Sequence, residues 1–148
     1  MVKLPPPVWA LIYAVLAGAV SAAWPWRRLI DLRVLPLGVA LLAGGLALSV
    51  WAALLFRAEG TELTPTSPSN KKLVVRGPFR WTRNPMYLSI VIFTLGLALA
   101  IGSLPMFAVP LLVFATASLV HIPFEEAKMR RQFGAAFDDY VARVRRWI

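Results

Sequence analysis

Residues 76–88 read Arg76-Gly-Pro-Phe-Arg-Trp-Thr-Arg-Asn-Pro-Met-Tyr-Leu88, and they stand immediately before a long apolar region. Cationic, aromatic and proline residues are concentrated here, just before two apolar runs that a short turn joins into a predicted hairpin. The hairpin ends at Glu125-Glu126, and Phe133-Gly134 and Tyr140 follow. Anchoring at a membrane surface would need only a Lys or a Trp. The pattern therefore predicts a site at the base of the hairpin, on the water-facing side of a membrane.

The composition indicates a membrane protein. Of the 148 residues, 59% are hydrophobic and 16% are charged, whereas soluble domains are about 45–50% apolar and about 25% charged. The length suits a single domain that covers residues 1–148. Because the chain has no cysteine and one histidine, His121, we exclude disulfides and thiolate catalysis and expect no metal site within one chain.

Four apolar runs have the length of membrane-spanning helices, which need about 20 residues. They cover residues 8–24, 35–56, 86–101 and 104–122, with a loop at 57–84 and a tail at 123–148. The first run continues past small residues that imitate a cleavage site, so we expect it to remain uncleaved. The predicted fold is all-α and integral to the membrane, with four transmembrane helices and a C-terminal cytoplasmic amphipathic helix.

Local patterns refine this prediction. Gly102-Ser103-Leu104-Pro105 predicts a tight turn between the last two spans. Small residues four apart, Ala14/Gly18/Ala22 and Ala40/Gly44, predict close helix packing in the first two. In the tail, apolar residues recur at helical spacing, which predicts a helix that lies against the bilayer or folds back over the hairpin, interrupted near Gly134. These residues are Phe133, Phe137, Tyr140, Val141, Val144 and Ile148.

The net charge of +9 comes mainly from Lys and Arg residues that flank the apolar runs. This distribution favours anionic headgroups or ligands and argues against nucleic acid as a partner. The loop at 57–84 and the tail after Pro123 are the two long basic segments, and the positive-inside bias places them in the cytoplasm. Arg27, Arg28 and Arg33 oppose this orientation, but they lie in one short loop. We expect an integral protein of a bacterial inner membrane, with the site and both termini facing the cytoplasm.

Taken singly, the polar residues at the base of the hairpin have structural explanations. Glu125 and Glu126 follow Pro123, and their negative charges would interact favourably with the dipole at a helix N-terminus. Asn84 is a good N-cap, Pro85 starts a helix well, and Arg83 would serve as a headgroup anchor. Adjacent helical carboxylates point about 100° apart, so only one of the two faces any ligand. Together, however, two polar helix ends at one hairpin base indicate a binding site.

Read together, these motifs resemble a known superfamily. Gly77-Pro-Phe-Arg-x-x-Arg-Asn-Pro-Met-Tyr-Leu88, followed by Glu125-Glu126, Phe133-Gly134 and Tyr140, is similar to the isoprenylcysteine carboxyl methyltransferases and phospholipid methyltransferases. The resemblance extends from about Lys71 to the C-terminus, and the first two spans match only in being apolar. It implies a membrane enzyme that uses S-adenosyl-L-methionine without a Rossmann domain, in a cytoplasm-facing pocket formed by the last spans and the C-terminal segment.

Carried over by motif position, the resemblance also implies roles for individual residues. His121 occupies the position of the superfamily's substrate-binding arginine and would orient the methyl acceptor, with Arg83 as a second candidate at the reaction centre. The cofactor would be lined by Lys71, Lys72, Leu73, Val74, Phe79, Asn84, Pro85, Met86 and Tyr87, together with Glu125, which would bind its polar end, and Glu126.

The chemistry of methyl transfer suits these residue types. An in-line displacement at a sulfonium depends mainly on the alignment of donor and acceptor. Cationic groups are stabilised by carboxylates and by aromatic faces such as those of Phe79, Trp81 and Tyr87. The prenylcysteine enzymes usually carry His where Asn84 stands and Arg where His121 stands, and a neutral His is a poor carboxylate clamp. We therefore expect a lipid-like acceptor, an amine first and a carboxylate on an isoprenoid second.

Two other classes of protein remain open. A membrane reductase related to sterol reductases would use NADPH, although such proteins are longer and have more spans. A non-enzymatic four-helix scaffold is also compatible with the sequence. A proton-coupled exporter is disfavoured, because none of the four predicted spans contains Asp or Glu.

Overall fold

The computed structural model describes residues 4–24, 31–59 and 72–148, and the regular structure within these ranges is helical. Lys71, Arg27 and Arg28 lie outside the described residues. Short 3-10 turns occur at Gly77–Arg80 and Leu104–Phe107. The α-helices are α1 (Pro6–Ala23), α2 (Leu35–Ala58), α3 (Pro85–Ile101), α4 (Ala108–Thr116), α5 (Ile122–Phe133) and α6 (Ala135–Arg143).

Three helical stretches are long and apolar enough to cross a membrane: Pro6–Ala23, Leu35–Ala58 and Leu104–Phe133. The remaining predicted span, residues 86–101, corresponds to α3, which is apolar but has only 17 residues. Large apolar side chains on α1 and α2, such as Leu11 and Leu54, are exposed, which suits contact with lipid. The described part of the chain is thus an all-helical membrane protein, and a membrane-spanning role for α3 stays a prediction.

The last long stretch is continuous because a π-helical turn, Ala117–His121, joins α4 to α5. The N–H of Ile122 donates to the Ala117 carbonyl, so the helix does not restart at Pro123. Glu125 and Glu126 therefore continue an existing helix. The interpretation that they stabilise a free helix N-terminus loses its basis.

The contact between α2 and α3 depends on glycines. Gly38, Gly45 and Ala52, seven residues apart and thus on one face, are the buried residues of α2. A Cβ atom built on Gly45 would lie 2.8 Å from the Ser89 carbonyl oxygen, and one on Gly96 would lie 2.7 Å from the Gly38 carbonyl oxygen. The backbones of the two helices therefore touch, and no side chain fits between them.

The small residues named from the sequence do not make this contact. A Cβ atom on Gly18 or Gly44 would meet nothing within 4 Å, so the prediction of close packing at these positions is wrong. The spacing of small residues therefore did not identify the face of α2 that packs against α3. Gly45, the immediate neighbour of Gly44, faces α3 instead.

The end of the bundle away from the sequence motifs is closed by the predicted turn. Gly102 has a φ of 75° and ends α3, and the Leu32 N–H donates to its carbonyl over 3.2 Å. The Ser103 hydroxyl bonds the Ser21 hydroxyl at 2.9 Å, which ties the turn to α1. The tight turn is confirmed.

The C-terminal tail is helical only in part. The predicted interruption at Gly134 is confirmed, with a φ of 51° between α5 and α6. Helix α6 ends at Arg143, and Val144 is extended, with φ −121° and ψ 129°. The prediction of a helix to Ile148 is therefore wrong for the last five residues. Their backbone groups bond to the turn before α3 instead, so the tail folds back over the base of the hairpin.

The adjacent glycines Gly44 and Gly45 of α2 allow a direct test of the α2–α3 contact. We expect Gly45→Ala to destabilise the protein by about 1–3 kcal/mol, because the added methyl group overpacks a backbone contact. Gly44→Ala makes the same chemical change one residue away, in open space, and should be neutral or stabilising. Thermal unfolding in detergent measures both variants. Equal midpoints would contradict the proposed close contact at Gly45.

Candidate active site

The turn before α3 positions the aromatic residue Phe79. Gly77 adopts a φ of 60°, and a Cβ atom there would lie 2.5 Å from Leu55 Cδ1, so the turn needs glycine. Phe79 is buried and packs edge-on against Phe56, with ring centroids 5.2 Å apart. The Tyr140 hydroxyl donates to the Phe79 carbonyl over 2.7 Å. Burial raises the pKa of Tyr140, which keeps this hydroxyl protonated and able to donate.

Asn84 precedes α3, but its side chain makes no N-cap hydrogen bond. Its amide nitrogen donates to the Arg146 carbonyl over 2.9 Å, and the Thr82 hydroxyl donates to the same oxygen over 3.1 Å. The backbone N–H of Asn84 donates in turn to the Thr82 hydroxyl. The side-chain capping interpretation is therefore wrong, and Asn84 is oriented by the C-terminal segment.

Arg83 does not point to the lipid headgroups. Its side chain is 10% exposed and donates to Glu126 over 2.9 Å. Further hydrogen bonds go to the Val141 and Val144 carbonyls. The headgroup-anchor interpretation is therefore wrong, because the guanidinium is engaged within the protein.

The two adjacent carboxylates have different partners. Glu126 accepts hydrogen bonds from Arg83 and also from Arg146, whose Nη2 lies 2.6 Å from Glu126 Oε2 and whose Nε lies 3.2 Å from Oε1. Glu125 instead accepts a hydrogen bond from the Tyr87 hydroxyl over 2.7 Å. The side chains of a helical Glu-Glu pair thus diverge, as the helix geometry predicts.

Between these groups lies a cavity of about 360 Å³, within the size range of small-molecule sites. Its lining is largely apolar, with Glu125, Glu126, Arg83, Lys72 and Lys128 as charged groups. All the cofactor-lining positions carried over from the superfamily and described by the structure contribute to it: Lys72, Leu73, Val74, Phe79, Asn84, Pro85, Met86, Tyr87, Glu125 and Glu126. Lys71 falls outside the described residues.

Other lining residues were not found from the sequence. Residues 5–7 at the start of α1, with Ser49 and Phe56 of α2, form part of the wall, although no motif connects them to the rest. Ile90, Lys128, Met129, Phe137 and Tyr140 complete it. Trp81 was expected to offer an aromatic face, but it is 67% exposed and packs edge-on against Trp51. Of these residues, Tyr140 was part of the sequence motif, and the contribution of α1 and α2 could be found only from their packing near the hairpin base.

His121 lies behind the cavity wall. It is 1% exposed in the π-helical turn and does not line the main cavity, but a second, small one with Trp9 and Thr116. Tyr87 lines both cavities, and its ring centroid is 6.0 Å from that of His121. Neither ring nitrogen has a hydrogen-bond partner among the described residues. His121 therefore contacts the site through Tyr87.

Apolar helical stretches long enough to cross a membrane, with a ligand-sized, partly charged cavity at one end, indicate an integral membrane protein with a candidate small-molecule site. The family model of the phospholipid methyltransferases matches residues 34–136, and the chain belongs to this family of membrane methyltransferases. The match begins near the start of α2, well before the sequence motifs, and includes every catalytic and cofactor-lining position carried over from the superfamily. No curated protein and no solved structure shows significant similarity to the chain.

Proposed function

We propose that this chain is an integral-membrane methyltransferase that transfers a methyl group from S-adenosylmethionine to a lipid-like acceptor. The observation that carries this proposal is the cavity, because the superfamily's cofactor positions come from three separate stretches of the chain and line it together. These stretches are the loop at 72–79, the start of α3 and the polar part of α5. Their convergence favours a ligand site over a scaffold.

The lining suits S-adenosylmethionine chemically. This compound supplies a methyl group on a positively charged sulfur, and it carries an ammonium, a carboxylate and an adenine ring. Glu125, oriented by Tyr87, would hold the ammonium end, since a charge-assisted hydrogen bond is strong. Lys72 would face the carboxylate. Phe79 and Met86 offer apolar surface for the ring.

The protein's contribution to the reaction is alignment. Fixed near-attack geometry contributes several kcal/mol to such displacements, and it requires a rigid wall. The bonds of Arg83 and Arg146 to Glu126 hold the turn before α3, helix α5 and the C-terminal segment together. The apolar lining keeps water away from the reacting groups.

The charges in the site favour an amine acceptor over a carboxylate. A guanidinium fork binds a carboxylate most strongly, but Arg83, the one arginine in the described part of the lining, is already bound to Glu126. Phe56 and Ile90 provide apolar wall suited to an acyl or prenyl chain. His121 would orient the acceptor indirectly, by fixing the position of the Tyr87 ring.

We further propose that α3 spans the membrane as the fourth transmembrane helix. Its 17 residues extend about 25 Å at 1.5 Å per residue, close to the thickness of the hydrocarbon core. Its contact with the spanning helix α2 runs from Ser89 to Ala100. We propose that the membrane is a bacterial inner membrane and that the cavity end faces the cytoplasm, since most described Lys and Arg residues lie at that end and the positive-inside bias favours this orientation.

Labelling of introduced cysteines tests this topology, because the natural chain has none. Leu104, half exposed in the turn after α3, should be labelled as Leu104→Cys only from the outer side. Arg143→Cys, on the exposed end of α6, should be labelled only from the cytoplasmic side. Labelling of both positions from one side would contradict the four-span arrangement.

Binding of S-adenosylhomocysteine to the protein in detergent, measured by calorimetry with NADPH as the control, tests the cofactor. We expect Glu125→Gln to weaken binding by roughly tenfold to over a hundredfold, because one charge-assisted hydrogen bond of about 1.5–3 kcal/mol is lost. Glu126→Gln should instead mainly lower the unfolding temperature, since Glu126 neutralises two arginines. NADPH binding without S-adenosylhomocysteine binding would point to the reductase.

Transfer of a labelled methyl group tests the acceptor. Vesicles that contain an aminophospholipid should be methylated, whereas an isoprenoid carboxylate should be methylated at least tenfold more slowly, because the guanidinium of Arg83 in the described lining is already bound to Glu126. The matched control is Glu125→Gln, which should reduce transfer to both acceptors. Turnover of the carboxylate alone would contradict the amine acceptor and leave the methyltransferase proposal intact.

A further inference from the structure

The extended residues after α6 make unusually many contacts with the candidate site. We call residues 144–147 the C-terminal strap. The carbonyls of Val144 and Arg145 accept hydrogen bonds from Arg83, from its guanidinium and its backbone N–H respectively. The strap therefore runs alongside the turn that leads into α3.

Arg146 contacts the cavity wall through both its backbone and its side chain. Its carbonyl accepts hydrogen bonds from Asn84 and Thr82, over 2.9 and 3.1 Å. Its guanidinium grips both oxygens of Glu126, at 3.2 Å to Oε1 and 2.6 Å to Oε2. One residue thus holds two members of the lining, Asn84 just before α3 and Glu126 in α5.

The strap is also anchored away from the cavity. The Trp147 ring packs on Phe114, with centroids 4.6 Å apart, and its indole N–H donates to the Ser118 hydroxyl over 3.2 Å. Both partners belong to the last apolar helix. The position of Arg146 is therefore set from two sides, by Glu126 and by the helix that packs against Trp147.

We propose that Arg146 is a positioning residue for the cofactor site, an inference that rests on the proposed function. Its carbonyl engages the amide nitrogen of Asn84, which fixes the orientation of the amide oxygen. Its guanidinium, with Arg83, neutralises Glu126 and holds it in the wall. The cationic groups of the ligand then interact with Glu125, whose partner is the neutral Tyr87 hydroxyl and not an arginine. Arg146 lies beyond the residues that match the family model.

The experiment compares neighbouring arginines by calorimetry with S-adenosylhomocysteine. Arg146→Met should weaken binding about tenfold, because the side-chain hold on Glu126 is lost and the Arg146 carbonyl, although still present, no longer keeps Asn84 in a fixed position. Arg145→Met is the matched control, since the Arg145 side chain is exposed and its backbone contact survives, and it should change binding less than twofold. Arg146→Lys should be intermediate, because lysine keeps the charge but lacks the planar fork.

A double-mutant cycle separates positioning from a general loss of structure. If Arg146 acts through Asn84, Arg146→Met should have little further effect on binding in an Asn84→Ala background. Additive losses would overturn the proposal, as would equal binding by Arg146→Met and the wild type. In steady-state methyl transfer, KM for S-adenosylmethionine should rise in Arg146→Met with kcat changed less. A wild type that binds no S-adenosylhomocysteine would refute the proposed function instead.

Discussion

The Glu126 carboxylate, held between two guanidinium groups, connects three parts of the chain that are far apart in sequence. Arg83 approaches it from the turn before α3 and Arg146 from the C-terminal strap, while Glu126 itself belongs to α5. The Arg83–Glu126 pair is the more buried of the two, with side chains 10% and 14% exposed, and removal of one partner from a buried ion pair costs about 3–5 kcal/mol because a charge is left uncompensated. The wall of the cavity depends on this cluster, since Asn84 and Phe79 lie in the turn before α3 and Glu125 lies in α5, two of the elements that it joins.

The long helices determine where this cluster forms. Backbone contact at Gly38, Gly45 and Gly96 fixes α3 against α2. It therefore also fixes the position of Arg83 and Asn84, which precede α3, relative to the apolar helices. The π-helical turn at Ala117–His121 then carries the last helix past the apolar region without a break. The carboxylates of α5 reach the cavity on a rigid element, a better support than a loop for a binding site.

Much of the candidate site could be predicted from local sequence. The prolines, the Arg83-Asn84 pair and Glu125-Glu126 marked the base of the hairpin, and the residues carried over with the superfamily motif line one cavity where the structure describes them. The helix geometry also predicted that the two carboxylates diverge. The roles of individual residues were less accessible. Asn84 was interpreted as a cap and Arg83 as an anchor, because the C-terminal strap that bonds both lies 61 and 62 residues away from its partners.

The sequence by itself determined that the chain is an apolar helical protein with a polar site at one end, because hydrophobic run length and turn residues act locally. The family match agrees with this result. Only the tertiary structure decided which glycines touch, that the last residues extend rather than continue a helix, and that α1 and α2 contribute to the cavity. Each of these depends on backbone and side-chain partners supplied by distant segments. Periodicity cannot specify such partners, because it describes the face of one helix and not the neighbour that covers it.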